Sequence, residues 1–136
     1  MNTPLRIASI AAALSFALST AASAATIRLV PLSPPRNAGA SIGACAVPFA
    51  SAALTAAAPA DLPAIAAGQN ITGITEVRIV LDPSGRLTSE SVLASSGNRW
   101  IDRAAITAAR QSSYRAEIRE CAPVGGAYGL VVDFTR

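Results

Sequence analysis

Between Gly73 and Asn98 the chain reads GITEVRIVLDPSGRLTSESVLASSGN, and this stretch restricts the fold more than any other. Val77, Ile79 and Leu81 alternate with Glu76, Arg78 and Val80, the period of a strand with one face buried. Asp82-Pro83-Ser84-Gly85 then reads as a tight turn. Aspartate caps such a turn, proline presets the dihedral at its second position, and glycine accepts the positive φ at its exit. Leu87 to Ala94 returns as a second strand, and Ser95-Ser96-Gly97-Asn98 closes the unit ahead of a helical pattern. A lone hairpin is marginal in water, so the rest of the chain has to cover it.

The cover is legible on both sides. Asn98 predicts the cap of a helix from Arg99 to about Ser113, with Asp102 favourably near its positive end. Ile101, Ala105, Ala108, Ala109 and Ser112 fall on one narrow stripe flanked by Trp100 and Ala104. Residues this small imply close approach to a sheet, with Arg103 and Arg110 outward, and Tyr114 is expected to end the helix and pack as a lid. Ahead of the hairpin, Asp61 as N-cap, Pro63 in the first turn and Gly68 at the end predict a short helix. Glu117 to Val124, with Cys121 and Pro123, is expected as a loop broken by Gly125-Gly126. Tyr128 to Thr135 is the final strand, with Tyr128, Leu130, Val132 and Phe134 on one face. The expected architecture is α+β: about three antiparallel strands with two helices on one face.

A chain of 136 residues has room for one such domain. Residues 1–24 read as a signal peptide: a positive start ending at Arg6, the apolar run Ile7 to Leu18, and a small-x-small cleavage site at Ala22-Ser23-Ala24. The alternative is an uncleaved anchor, since Ile7 to Ala25 carries no charge and is about as long as a minimal span. Residues 25–60 are expected to be an extended, irregular lead. Thr26 to Leu32 has the makings of a short strand, but Pro31, Pro34, Pro35 and Gly39 argue for poor order, and Ala44 to Ala60 shows no helical stripe. Residues 61–136 form the domain.

Cys45 and Cys121 are the two cysteines, and an even count in a small exported domain suggests a disulfide rather than two separate thiols. Such a bridge closes a loop worth about 4.5 kcal/mol in the chain-entropy account. With no histidine and two distant cysteines, no zinc site and no other cofactor site is expected. The formal charge of +3 falls to about +2 once Arg6 leaves, and the arginines are scattered among acidic residues, so no nucleic-acid footprint is present. Catalysis lacks its usual parts: no histidine, no serine with a base partner, no GxSxG elbow, and a Gly125-Gly126 pair too short for a phosphate loop. The chain is expected not to be an enzyme.

Binding needs no such groups. A three-stranded sheet has two open edges, and an edge offers unpaired N–H and C=O groups to an extended peptide. The last strand is chain-terminal, apolar on one face and free of proline. The expected peptide-binding residues are therefore Tyr128, Gly129, Leu130, Val131, Val132, Asp133, Phe134 and Thr135. The alternative is that this strand is central, or self-paired in a homodimer.

The ordered set Pro63-x-x-Ala66, Ile71-x-Gly73 and Val77-x-Ile79-x-Leu81-Asp82-Pro83-Ser84-Gly85-Arg86-Leu87 resembles the C-terminal domain of TonB proteins. Ser95 to Asn98, Asp102-x-Ala104-Ala105, Ala108-Ala109-Arg110, Tyr114 and the closing Gly126-Ala127-Tyr128-x-Leu130-x-Val132-x-Phe134 continue it, over about Asp61 to Phe134. The resemblance implies a periplasmic module that adds a segment of an outer-membrane receptor beside its last strand, in TonB-dependent transport. The loop around Tyr114 to Ala116 would lie nearby, and Asp82, Pro83 and Gly85 would hold the scaffold turn. The chain departs from the family's transducers in having no histidine, a cleavable N-terminus and a lead that spans at most about 120 Å. Ala116 stands where the family usually has proline, and Glu90 replaces an apolar residue. The cysteine pair is similar to that of a subset of small exported relatives. If the N-terminus were retained, the resemblance would imply an inner-membrane auxiliary transducer. A third expectation is a structural envelope module that dimerises through its edge.

Overall fold

The structure, a computed structural model, describes residues 25–33 and 45–135, so the expected signal segment lies outside the described residues. In chain order the elements are β1 (Thr26–Pro31), β2 (Phe49–Ala50), β3 (Ala53–Ala56), α1 (Ala64–Ala67), β4 (Ile74–Leu81), β5 (Leu87–Ala94), α2 (Arg99–Gln111), β6 (Ser113–Arg115), β7 (Glu117–Arg119), β8 (Ala122–Val124) and β9 (Gly126–Asp133).

The β4–β5 hairpin forms as its turn chemistry dictates. Asp82 Oδ1 accepts from the Ser84 N–H at 2.8 Å, the Ser84 hydroxyl at 2.6 Å and the Arg86 N–H at 3.0 Å. Those bonds, the Ser84 hydroxyl first, hold the Asp82 carboxyl below its usual range. Gly85 takes φ 84°, and a Cβ placed there would also come within 2.7 Å of the Tyr114 carbonyl oxygen. Glycine is thus required twice, by the turn and by the segment crossing it. α2 starts at Asn98, whose side chain accepts from the Trp100 N–H at 2.9 Å, and buries Ile101, Ala104, Ala105, Ala108 and Ala109. This stripe meets Val77, Ile79 and Leu81 of β4 and Leu130 and Val132 of β9 in one core. Small residues on α2 let helix and sheet approach closely, as their spacing implied.

Several expectations change. The main sheet has four strands, in the order β1-β9-β4-β5, with every pair antiparallel. The fourth strand is β1, from the lead that was expected to be irregular. That lead also supplies β2, which pairs with β7, and β3, which pairs with β6, so residue 61 marks no structural break. Glu117 to Val124 is a hairpin of β7 and β8, not a loop. Its turn residues Glu120 and Cys121 adopt φ 48° and 69°. Cys121 is bonded to Cys45 with Cα atoms 6.0 Å apart, so the disulfide anchors the lead on this turn. α1 is a single turn that Pro63, not Asp61, precedes as the capping residue. α2 ends at Gln111, and Tyr114 follows as the buried centre of β6, its hydroxyl donating to the Ala109 carbonyl at 2.8 Å. Glu90, the polar residue on β5, forms an ion pair with Arg110 of α2. The departure from an apolar residue there is matched by a partner on the helix.

Candidate functional site

The expected site residues converge on β9, but not at an edge. Tyr128 to Asp133 are paired on both flanks. On one side Ile74 to Leu81 of β4 oppose Asp133 to Gly126, and on the other Thr26 to Pro31 of β1 oppose Asp133 to Tyr128. The last strand is interior, and the flank expected to be open is taken by six residues of the chain's own lead. Phe134 and Thr135 lie beyond the strand: the Phe134 N–H donates to the Gly73 carbonyl at 2.9 Å, and Asp133 Oδ1 accepts from the Thr135 N–H at 2.7 Å. Among the described residues, the outer edges of this sheet are β1 and β5.

Strand alternation divides the β9 side chains. Tyr128, Leu130 and Val132 point into the core with Phe134, whereas Gly129, Val131 and Asp133 occupy the opposite face. A Cβ at Gly129 would meet the Glu76 carboxylate and the Val30 side chain, so a larger residue there makes those side chains shift. β1 answers this pattern. Ile27 and Leu29 sit opposite Val132 and Leu130, half-buried against the core, and Arg28 lies close enough to Asp133 to favour its ionised form.

The β1 ladder stops at Pro31, which opposes Tyr128, so Ala127 and Gly126 are paired with β4 but not with β1. At this point a cleft of about 590 Å³ opens, walled by Leu32, Phe49, Arg78, Glu117, Arg119 and Tyr128 among others. Glu117 accepts from Arg119 at 2.7 and 3.0 Å and from the Tyr128 hydroxyl at 3.1 Å. The Arg119 bonds hold the Glu117 carboxyl below its usual range, while burial, then Glu117, pushes the Tyr128 phenol up to about 12. The cleft thus has a neutral phenol and two guanidinium groups against one carboxylate.

A second polar cluster is structural. Asp102 accepts from Thr75 Oγ1 at 2.6 Å, from the Ser96 N–H at 3.0 Å, from Ser96 Oγ at 2.9 Å and from Ser95 Oγ. Burial would raise its carboxyl, but these donors prevail and bring it down to about 2. It joins β4, the β5–α2 connection and the first turn of α2.

Sequence reasoning did not find the β1–β9 pairing or the cleft. The available signal was the alternation of Ile27 and Leu29, which the neighbouring prolines obscured; nothing local marked Phe49, Glu117 or Arg119. Among the described residues no helix is long and apolar enough to cross a membrane. A family model described as Gram-negative bacterial TonB protein C-terminal matches residues 58–135. Searches of curated proteins and of solved structures returned no match.

Proposed function

The chain belongs to the TonB C-terminal family, and from that premise we propose that it is a periplasmic protein-binding module that takes an extended receptor segment beside β9. The partner is an outer-membrane TonB-dependent receptor, and the role is binding rather than catalysis, since strand addition uses backbone groups. One observation carries the reading: the flank of β9 away from β4 already receives an extended, antiparallel six-residue segment, with alternate side chains directed into the core. That flank is therefore shaped for an added strand. Export by a cleaved signal segment would bring the module to the compartment where such receptor segments are exposed.

Photo-crosslinking in the native envelope tests this. A photoreactive residue at Val131 or Asp133 is expected to give adducts with an outer-membrane receptor, identified by mass spectrometry of the adduct. Adducts formed only from positions on β5, or none with any receptor, overturn it.

A second reading rests on the opposite edge. β5 is unpaired on its outer side among the described residues, and Val92 and Leu93 are 41% and 49% exposed. Such an edge can pair two copies of the chain, making a structural dimer. Light scattering of the exported chain tests this reading, a monomer overturning it; because a dimer through β5 leaves β9 untouched, receptor binding is decided separately by the crosslinking.

A further inference from the structure

Resting on that reading, we propose that β1 is a displaceable stand-in for the partner's strand, and that the partner replaces it starting from the cleft at its Pro31 end. Strand addition at β9 requires a free flank, and the flank is filled. The two neighbours of β9 are unequally held. β4 contributes Val77 and Ile79 at 0% exposure and Leu81 at 2%, whereas Ile27, Leu29 and Val30 of β1 are only half-buried and Thr26, Arg28 and Pro31 are exposed. β1 is the neighbour that can leave.

The ladder also has a built-in starting point. Partners in the β1–β9 register sum to 159 (26 + 133, 31 + 128), so a strand continuing past position 31 would place position 32 opposite Ala127 and position 33 opposite Gly126. β1 makes neither pair. In an antiparallel sheet successive residues turn their N–H and C=O groups to alternate sides. One of Gly126 and Ala127 therefore presents both groups to the side β1 has left. Proline cannot donate to a ladder, and Pro31 ends this one at the mouth of the cleft. A partner segment without proline gains two pairs that β1 lacks and can advance along β9 as β1 peels away.

The chemistry of the site describes the segment it takes. Positions opposite Leu130 and Val132 call for apolar side chains, as Leu29 and Ile27 show. At the cleft, Arg78 and Arg119 against Glu117 favour an acidic residue at the segment's leading end. Replacement is intramolecular competition: thirteen residues, 32 to 44, separate β1 from the disulfide-anchored Cys45. Because the competing strand belongs to the same chain, an outside peptide binds with its affinity reduced by the fraction of time β1 is undocked.

The test uses a nine-residue peptide, ATIRLVVLD: residues 25–32 of this chain with Pro31 replaced by valine and an aspartate appended. It is titrated into the labelled exported chain and into a form carrying Ile27→Asp and Leu29→Asp, which loosens β1. The expected result is binding that perturbs amides 126–133 and is at least about tenfold tighter in the loosened form. A locked form, Arg28→Cys with Val131→Cys joined across the ladder, is expected to lose the binding, and it carries the test if the loosened form does not fold. Shifts at amides 126–133 with equal affinity in all three forms, the locked one included, overturn displacement while leaving binding at β9 standing; shifts confined to residues 87–94 overturn both. No binding to any form, the loosened one included, overturns both.

Discussion

The two flanks of β9 use the same backbone chemistry to different ends. Each is an antiparallel ladder, one with β4 and one with β1. On the β4 side the ladder spans eight pairs, and Val77, Ile79 and Leu81 sit in the core under α2. On the β1 side it spans six, and the side chains reach only the core's margin. Net hydrogen-bond stabilisation is about 1 kcal/mol per bond on either side, so apolar burial separates them. A ladder alone does not make a strand permanent. A ladder with a covered face does.

The largest change expected is removal of the tether. Replacing both cysteines, Cys45→Ser with Cys121→Ser, opens a loop with a sequence separation of 76. Urea denaturation should show a loss of about 4 kcal/mol. On the flank comparison, hydrogen exchange should quicken further at β9 amides facing β1 than at those facing β4, because the lead loses its anchor on the β7–β8 turn. Equal quickening on both flanks would mean the disulfide supports the core as much as β1.

The next expected effect addresses burial directly. Leu130 and Leu29 are cross-strand partners, one at 0% exposure and the other half-buried. Leu130→Ala should cost about 3 kcal/mol in chemical denaturation, and Leu29→Ala about 1 kcal/mol. Similar losses would erase the distinction between a core strand and a replaceable one.

What could be read from the chain follows the same division. The hairpin turn, the α2 stripe and the inward face of β9 were legible because each is a local pattern whose period or turn chemistry is complete within a few residues. The family followed from those. Thr26 to Leu32 was legible as a possible short strand but its place in the sheet was not, because its partner lies about a hundred positions away and Pro31, Pro34 and Pro35 argue locally for poor order. The β7–β8 hairpin was missed for another reason. Its turn places Glu120 and Cys121 in the left-handed region, where glycine or asparagine would have been the signal. The disulfide and the pairing with β2 hold that turn instead, and neither is a local property. The last strand was therefore readable, and the neighbour on its second flank was not.

The smallest expected effect lets acid act on the β4 flank alone. Thr75 of β4 is fully buried, opposes Val132 of β9, and donates to Asp102. The Asp102 carboxyl titrates at about 2, below its model-compound value of 3.8, so its contribution to stability is complete above about pH 4 and is lost as pH falls through 2. Asp102 is only partly buried, so screening cuts the contribution to about 1 kcal/mol. Stability measured between pH 4 and 2 should fall less steeply in Asp102→Asn than in the native chain, since asparagine does not titrate. Over the same interval the added exchange in the native chain should appear first at β9 amides facing β4. Asp133, held below its usual range chiefly by Thr135, lies opposite Thr26 in the β1 ladder. If acid loosened the β1-facing amides first, Asp133 would be the group responsible, and the β4 flank would be the better protected even at low pH.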